Sequence, residues 1–194
     1  MTQAPLMDRI HITEDYDVPR VINGGWQLSA GHALERPLDL ADASRAFNRL
    51  IDMGFDTFDC ADIYTGVEDF FGGIIRERRK AGLRLPQIHT KFVPDLNDLA
   101  NVTPAYVENI ITRSLRRLGV ERLDAVQFHW WDYSVPGMVD VAGELVRLQE
   151  KGLIRLISTT NFNAVELRKL IDAGIPAATN QCQYSVCLLY TSPS

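Results

Sequence analysis

The chain has 194 residues, of which 46% are hydrophobic and 23% are charged, as in average globular domains, which argues against a disordered chain. The net charge of -5 and the lack of a basic face argue against a nucleic-acid partner. Three cysteines without a CxxC pair and four histidines without HxxxH spacing predict neither a disulfide framework nor a metal site. The sequence shows no apolar h-region and no run of membrane-spanning length, so we expect a cytoplasmic protein without membrane insertion.

In chain order, the sequence repeats one pattern: a short apolar strand, a polar loop, an amphipathic helix and a glycine. A strand near 20–23 precedes a helix over 40–53 whose apolar residues have helical spacing. A strand at 55–59, a helix through 70–75 and a strand at 87–91 follow. Thr103 before Pro104 predicts the next helix start, because threonine caps helices and proline suits their first turn.

The same pattern continues in the second half of the chain. It predicts a strand at 123–129, a helix through 138–146, a strand at 153–158, a helix capped by Asn163 and a strand at 176–181. The glycines that end the five helices are Gly54, Gly82, Gly119, Gly152 and Gly174. Strands that alternate with helices in this way predict βαβ units and a parallel sheet, with right-handed crossovers.

Two α/β folds fit this alternation: a doubly wound sheet and a (β/α)8 barrel of the TIM type. The first strand-to-helix loop, NGGWQLSAGH, lacks the GxGxxG spacing of a dinucleotide-binding doubly wound fold, and the chain has no GxxxxGK[ST] loop. The barrel is therefore favoured. A complete barrel has eight strands in about 250 residues, so the six predicted units indicate an incomplete one with unpaired edge strands.

The chain divides into three predicted segments: an N-terminal extension at 1–19, a partial barrel at 20–185 and a tail at 186–194. The tail, VCLLYTSPS, offers neither a helix of useful length nor a seventh strand followed by a helix. We therefore expect it to reflect truncation or a sequence-assembly artefact rather than part of the fold.

Ionisable residues collect where the predicted strands end. Asp59, Lys91 and His129 end three consecutive strands, and Tyr64 follows Asp59 by five residues. Because active sites of such barrels lie at the carboxyl ends of the strands, these four residues predict one proton-transfer site. Each also has an ordinary alternative: a turn-capping aspartate, an exposed lysine, a satisfied interior histidine and a loop tyrosine bonded to a carbonyl.

The four side chains suggest a division of labour. A lysine beside a tyrosine lowers the pKa of the phenol, and an aspartate keeps that lysine charged and oriented. The tyrosine can then protonate a developing alkoxide as general acid, while the histidine donates a hydrogen bond to a carbonyl oxygen. None of them supplies electrons, so a reduction would need a hydride cofactor.

At these residues the chain resembles the aldo-keto reductases. The matching segments are FDCADIY at 58–64, HTK at 89–91, QFH within SLRRLGVERLDAVQFH at 114–129, STTNF at 158–162 and NQCQYS at 180–185. The resemblance implies a (β/α)8 barrel that reduces aldehydes or ketones with NADP, or in some members with NAD. It implies that Tyr64 is the acid, Lys91 its pKa-lowering partner, Asp59 the anchor of the lysine and His129 the carbonyl-orienting residue.

The resemblance also implies a cofactor site and a substrate pocket. Thr160, Asn161 and Gln181 would meet the nicotinamide carboxamide, and Asp59 would also lie at the cofactor. Gly25 and Trp26 would line the edge of the cofactor or substrate. Trp130 and Trp131 follow the histidine where the family often has proline or a small residue, which implies a bulky aromatic pocket wall together with Trp26. The ordinary alternatives are a helix-entry role for Asn161 and a strand-end hydrogen bond for Gln181.

Three functional hypotheses follow from the sequence. The first is a reductase of small-molecule carbonyl substrates, active at full length, with little activity expected from these residues alone. The second is a non-catalytic, nicotinamide-binding regulatory subunit of a membrane channel, and the third is another barrel enzyme such as an isomerase. The choice between NADP and NAD is not predicted, because the seventh and eighth strands are not in this sequence. The sequence also does not predict the physiological substrate or the oligomeric state.

Overall fold

The computed structural model describes residues 8–30 and 39–184. The chain forms two compact units. Among the described residues, the first unit contains 8–30, 39–90 and 114–120, and the second contains 91–113 and 121–184. The predicted tail at 186–194 lies outside the described residues.

The strands form two sheets among the described residues. β1 (Arg9–Thr13) and β2 (Tyr16–Pro19) make an antiparallel pair. The other six strands form a parallel sheet in the order β3-β4-β5-β6-β7-β8: β3 (Asn23–Gly24), β4 (Thr57–Asp59), β5 (Gln87–Phe92), β6 (Leu123–Phe128), β7 (Ile154–Thr160) and β8 (Ala177–Gln181). Because sequential strands are always neighbours, the order is that of a barrel, whereas a doubly wound sheet reverses it. The predicted fold class, an incomplete (β/α)8 barrel, is confirmed.

The first unit is built around phenylalanines that join two helices to β4. Its helices are α1 (Leu40–Asp52) and α2 (Val67–Lys80). Phe58 of β4 stacks on Phe71 of α2, with ring centroids 5.3 Å apart, and Phe47 of α1 packs edge-on against both. Burial of these rings supplies a large share of the hydrophobic stabilisation of the unit.

The sequence predicts an N-terminal extension at 1–19 and does not predict the pair of strands found before Arg20. Tyr16 is buried and its hydroxyl lies 3.0 Å from Nε2 of His89. Arg9 donates to Asp56 at 2.9 Å. The predicted first strand near 20–23 is also shifted, since β3 begins at Asn23. These contacts tie residues 8–19 to the core of the first unit.

The second unit contains the rest of the sheet and its helices. α3 (Pro104–Leu118) crosses from the second unit into the first after Arg113, while α4 (Met138–Glu150) and α5 (Ala164–Asp172) lie wholly in the second. Phe128 of β6 packs against Phe92, Trp130 and Phe162, with centroid distances between 5.6 and 6.1 Å. β8 is partly exposed along its length, as an edge strand would be.

The predicted helix signals are confirmed. The Thr103 hydroxyl accepts a hydrogen bond from the amide of Tyr106 at 3.2 Å, and the Asn163 side chain accepts one from Glu166 at 2.9 Å. Gly54 and Gly174 follow their helices with φ of 96° and 83°, a conformation that disfavours side chains and so ends each helix. Within the described ranges, no helix combines the length and hydropathy needed to cross a bilayer.

Candidate active site

In the first unit, the candidate site begins where β4 ends at Asp59. The backbone carbonyl of Asp59 accepts the amide of Gly25 at 2.8 Å, and the amide of Cys60 donates to His89 at 2.7 Å. A turn follows, in which the Tyr64 amide donates to the carbonyl of Ala61 at 3.1 Å. The half-buried Asp59 and Tyr64 side chains are therefore held by a strand end and a closed turn.

The pKa of Tyr64 departs from the sequence-based prediction. Burial raises this pKa to about 12, and the negative charge of Asp59 and then of Cys60 adds to the effect. We predicted a lowered pKa from the neighbourhood of a lysine, and this prediction is wrong in direction. Like an ordinary tyrosine of pKa 10.0, the phenol keeps its proton throughout the neutral range, and the raised pKa makes it a weaker acid than an ordinary tyrosine.

Gly25 and Trp26 lie just after β3 in the first unit. A Cβ on Gly25 would stand 2.9 Å from Cγ1 of Val67 and 3.0 Å from both the Asp59 carbonyl and the Phe71 ring. The absence of a side chain at Gly25 thus allows the backbone to approach β4 closely. Trp26 is exposed and begins a short 3-10 turn over Trp26–Leu28.

In the second unit, Lys91 and His129 interact. Lys91 is buried near the end of β5, and the His129 amide donates to the carbonyl of Phe92 at 3.0 Å. Burial lowers the pKa of His129, the hydrogen bond that the ring donates to the backbone carbonyl of Thr160 opposes this, and the charge of Lys91 lowers the pKa further. The imidazole is therefore neutral at pH 7.

The tautomer of His129 follows from its partner. Nδ1 lies 3.3 Å from the carbonyl oxygen of Thr160, and a carbonyl oxygen can only accept, so Nδ1 carries the proton. In the neutral ring, Nε2 is then a hydrogen-bond acceptor. The predicted donation to a carbonyl oxygen therefore requires the protonated form of His129, or a change of tautomer.

The two tryptophans after His129 have different surroundings. Trp130 is 1% exposed, packs on Phe128 and donates to the carbonyl of Val135 at 3.2 Å. Trp131 is 47% exposed and meets the His129 ring edge-on, with the ring centroids 4.5 Å apart. Its indole nitrogen donates to the carbonyl of Pro94 at 2.8 Å. Trp130 is thus an interior residue with no face for a substrate, and Trp131 is the one that can serve as a pocket wall.

The predicted carboxamide-binding residues come together at the ends of β7 and β8. The Asn161 amide donates to the Gln181 carbonyl at 2.8 Å, and the Thr160 hydroxyl lies 3.3 Å from Oε1 of Gln181. Thr160 is buried, whereas the Asn161 and Gln181 residues are exposed. Exposed amide side chains offer both donors and acceptors, as a carboxamide requires, so the residues present fit a nicotinamide.

Asn161 is held in an unusual backbone conformation. Its φ is 61°, in the left-handed region that asparagine tolerates better than most residues. The Tyr133 hydroxyl donates to the Asn161 carbonyl at 3.1 Å. The helix cap is Asn163, and Asn161 lies two residues before it, which agrees with the helix-entry alternative.

Each unit thus assembles part of the predicted set. The first holds Asp59 with Tyr64, and the second holds Lys91 with His129 beside the Thr160 segment. Among residues 8–30 and 39–184, no three side chains of the metal-binding types cluster.

Comparisons with known proteins agree with the strand order and the motifs. The model of the Aldo/keto reductase family matches residues 20–192. The methylglyoxal reductase DkgA of Yersinia pestis is 29% identical, over 94% of this chain and 58% of the relative. An aldo-keto reductase of Mycobacterium sp. strain KMS is 30% identical, over 93% of this chain and 58% of the relative.

A solved structure shares the fold. The Bombyx mori aldo-keto reductase in complex with NADP superposes with a TM-score of 0.72 at 23% identity, over 90% of this chain and 57% of that one. The chain therefore spans little more than half the length of these relatives. With the family model matched over most of its residues, the chain belongs to the Aldo/keto reductase family.

Proposed function

We propose that the protein reduces an aldehyde or ketone to an alcohol, with Tyr64 as the general acid. The position of Tyr64 carries the proposal, because its half-buried phenol lies in the turn after β4, at the carboxyl end of a barrel strand where such enzymes place their reacting groups. Family membership and the consecutive strand-end positions of Asp59, Lys91 and His129 support it. We propose that these four residues act on the same substrate, a small carbonyl compound.

The proposed roles follow from the charge of each group. Tyr64 donates its proton to the oxygen of the substrate as that oxygen gains negative charge. A positive Lys91 stabilises the phenolate that remains, and Asp59 orients the lysine. Neutral His129 with its proton on Nδ1 accepts, through Nε2, a hydrogen bond from the alcohol formed. It donates to the carbonyl only when the ring is protonated or changes tautomer.

A reduced nicotinamide cofactor, NADPH in this proposal, would supply the hydride. Asn161 and Gln181 would hold its carboxamide. The Thr160 hydroxyl, which bonds Gln181, would orient the side-chain amide of Gln181. Trp131 and Trp26, both exposed, would form the aromatic part of the substrate wall. Three cysteines without a CxxC pair support a reducing compartment, and we include a cytoplasmic location in the proposal.

The test is NADPH oxidation by the protein made from the longest open reading frame that contains this sequence, called here the full reading-frame protein. A panel of aldehydes would begin with methylglyoxal, for which one relative is named. We expect Tyr64→Phe to lower kcat about 10³-fold, within the range of general acid catalysis. The matched control is Tyr106→Phe, the same change on α3, where the hydroxyl bonds the Asp95 amide.

Two results would overturn the proposal. One is the absence of NADPH-dependent turnover across the panel by the folded wild-type protein. The other is a Tyr64→Phe variant whose kcat equals that of the Tyr106→Phe control.

A further inference from the structure

Arg117, near the end of α3, contacts the turn that carries Tyr64. One of its terminal nitrogens donates to the backbone carbonyl of Asp62 at 3.1 Å. Asp62 lies between Asp59 and Tyr64 in the chain, and these three residues belong to the first unit, as does Arg117. The same nitrogen donates to Oε2 of Glu68 at 3.1 Å. Arg117 thus holds the backbone of the turn rather than any reacting group.

Glu68 makes the second half of the contact. It lies in the first turn of α2 and is 1% exposed. Its other oxygen, Oε1, accepts the hydroxyl of the fully buried Thr90 at 2.8 Å. Thr90 immediately precedes Lys91 in β5. A buried carboxylate is stable only when it is paired and hydrogen-bonded, so both partners are required.

The position of Arg117 is fixed by its own backbone. A Cβ on Gly72 of α2 would stand 2.1 Å from the Arg117 carbonyl oxygen, so glycine permits the two helices to touch there. Asp69, one residue after Glu68, adds a long ion pair to Arg117 at 3.9 Å. The guanidinium is therefore presented to the turn by closely packed helices.

We propose that Arg117 and Glu68 are positioning residues for the reaction. Their ion pair, with Thr90, forms a clamp that holds the Tyr64 turn by the Asp62 carbonyl and the end of β5 by the Thr90 hydroxyl. The clamp acts on the backbone that carries Asp59, Tyr64 and Lys91 and touches none of the reacting atoms. This inference rests on the proposed function for its kinetic consequence, but its structural consequence is independent of any activity.

The kinetic test uses Arg117→Ala and Arg117→Lys in the full reading-frame protein, with Arg116→Ala as the matched control. Arg116 is the exposed neighbour on the same helix. We expect Arg117→Ala to lower kcat about 10²-fold with KM within about twofold, because small misplacements of a catalytic group are costly. Arg117→Lys keeps the charge and loses the planar guanidinium group, so its kcat should lie between those of wild type and Arg117→Ala. Added methylguanidinium should partly restore the kcat of Arg117→Ala.

The structural test is amide hydrogen exchange by mass spectrometry. We expect Arg117→Lys to speed exchange in the segment 60–67 and to leave α4 unchanged, since the Tyr64 amide bonds within the turn. Glu68→Gln should give the same pattern and keeps the assay available if Arg117→Ala does not fold.

The outcomes separate the clamp from the proposed function. A wild-type kcat in folded Arg117→Ala, or unchanged exchange at 60–67 in both Arg117→Lys and Glu68→Gln, would overturn the clamp. If the wild-type protein turns over no carbonyl, the proposed function fails, and faster exchange at 60–67 still supports the clamp.

Discussion

The two aspartates at either end of β4 have opposite surroundings within the first unit. Asp56, just before the strand, is 1% exposed. It accepts Arg9 at 2.9 Å and also pairs with Arg84. Asp59, the last residue of the strand, is only half-buried, and its negative charge raises the pKa of Tyr64. Asp56 is thus paired with two arginines, whereas Asp59, at the other end of the strand, acts on the proton donor Tyr64.

The difference follows from the direction of the strand. In parallel barrels the amino ends of strands serve stability, and the carboxyl ends present reactive groups. At Asp56, the arginine pairs attach residues before β3 and after α2 to the start of β4. At Asp59, the charge instead adds to the effect of burial in raising the pKa of the neighbouring Tyr64 phenol. A substitution at each end should therefore affect a different property.

Replacing Asp56 should have the largest effect. We expect Asp56→Asn to reduce the free energy of unfolding by about 3 kcal/mol, because a buried charge pair loses one partner. kcat of the protein that remains folded should change little. Asp42→Asn is the control, since that aspartate pairs with Arg45 while both are exposed, which should cost no more than about 1 kcal/mol. Urea unfolding followed by tryptophan fluorescence measures both, and equal losses would contradict the comparison.

Replacing Asp59 should have the reverse signature. We expect Asp59→Asn to lower kcat about 10²-fold, equivalent to about 2.7 kcal/mol in the barrier, with a smaller change in unfolding free energy than Asp56→Asn. Without the aspartate charge, the pKa of Tyr64 should fall from about 12 towards its ordinary value. The pH at which alcohol oxidation begins to rise should therefore move down. An unmoved profile would show that Asp59 does not act on Tyr64.

Strand ends could be predicted from sequence because the alternation of strands and helices is local. Asp59, Lys91 and His129 were identified as strand ends from apolar runs alone, and the structure has each strand ending at or next to them. The choice of a barrel over a doubly wound sheet needed only the absence of the GxGxxG motif after the first strand. The helix starts at Thr103 and Asn163 depend on residues within four positions, which is why they were also predictable.

Contacts between distant residues could not be predicted in this way. Arg9 reaches Asp56 across 47 residues, so the first two strands carry no local sign of their anchor. Glu68 contacts Arg117 across 49 residues and in the sequence resembles an ordinary acidic residue in a first helical turn. Adjacent Trp130 and Trp131 are equivalent in composition, and only packing decides which one is buried. The direction of the Tyr64 pKa likewise depends on burial, which a strand-end pattern does not reveal.

A backbone contact at the carboxyl end of β4 gives an intermediate effect. We expect Gly25→Ala to cost about 2 kcal/mol of unfolding free energy, because its Cβ would press on Val67, Phe71 and the Asp59 carbonyl at 2.9–3.0 Å. The neighbouring Gly24→Ala is the control, since a Cβ there meets nothing within 4 Å. A kcat loss larger for Gly25→Ala than for Gly24→Ala would show that this contact also positions Asp59. Equal stability of the two variants would contradict the packing.

Alkaline pH should give the smallest effect and should act at one end of β4 only. The folded pKa of Tyr64 is about 12, against 10.0 for an ordinary tyrosine, so the folded protein keeps a proton that the unfolded chain releases. The resulting stability is present below about pH 10 and is lost as the pH rises towards 12. Solvent screening of this half-buried group reduces the loss to roughly 1 kcal/mol.

The Asp56 end should not respond over the same range, because arginine remains charged there. Lysines and other tyrosines also titrate above pH 10, so the measurement is the difference in unfolding free energy between wild type and Tyr64→Phe as the pH is raised. The unfolding free energy of wild type minus that of Tyr64→Phe should fall from pH 10 to 12. The unfolding free energy of wild type minus that of Asp56→Asn should stay constant over the same range. If both differences changed together, the charge at Asp59 and the charges at Asp56 would belong to one coupled network, and the separation of stability from reactivity along β4 would not hold.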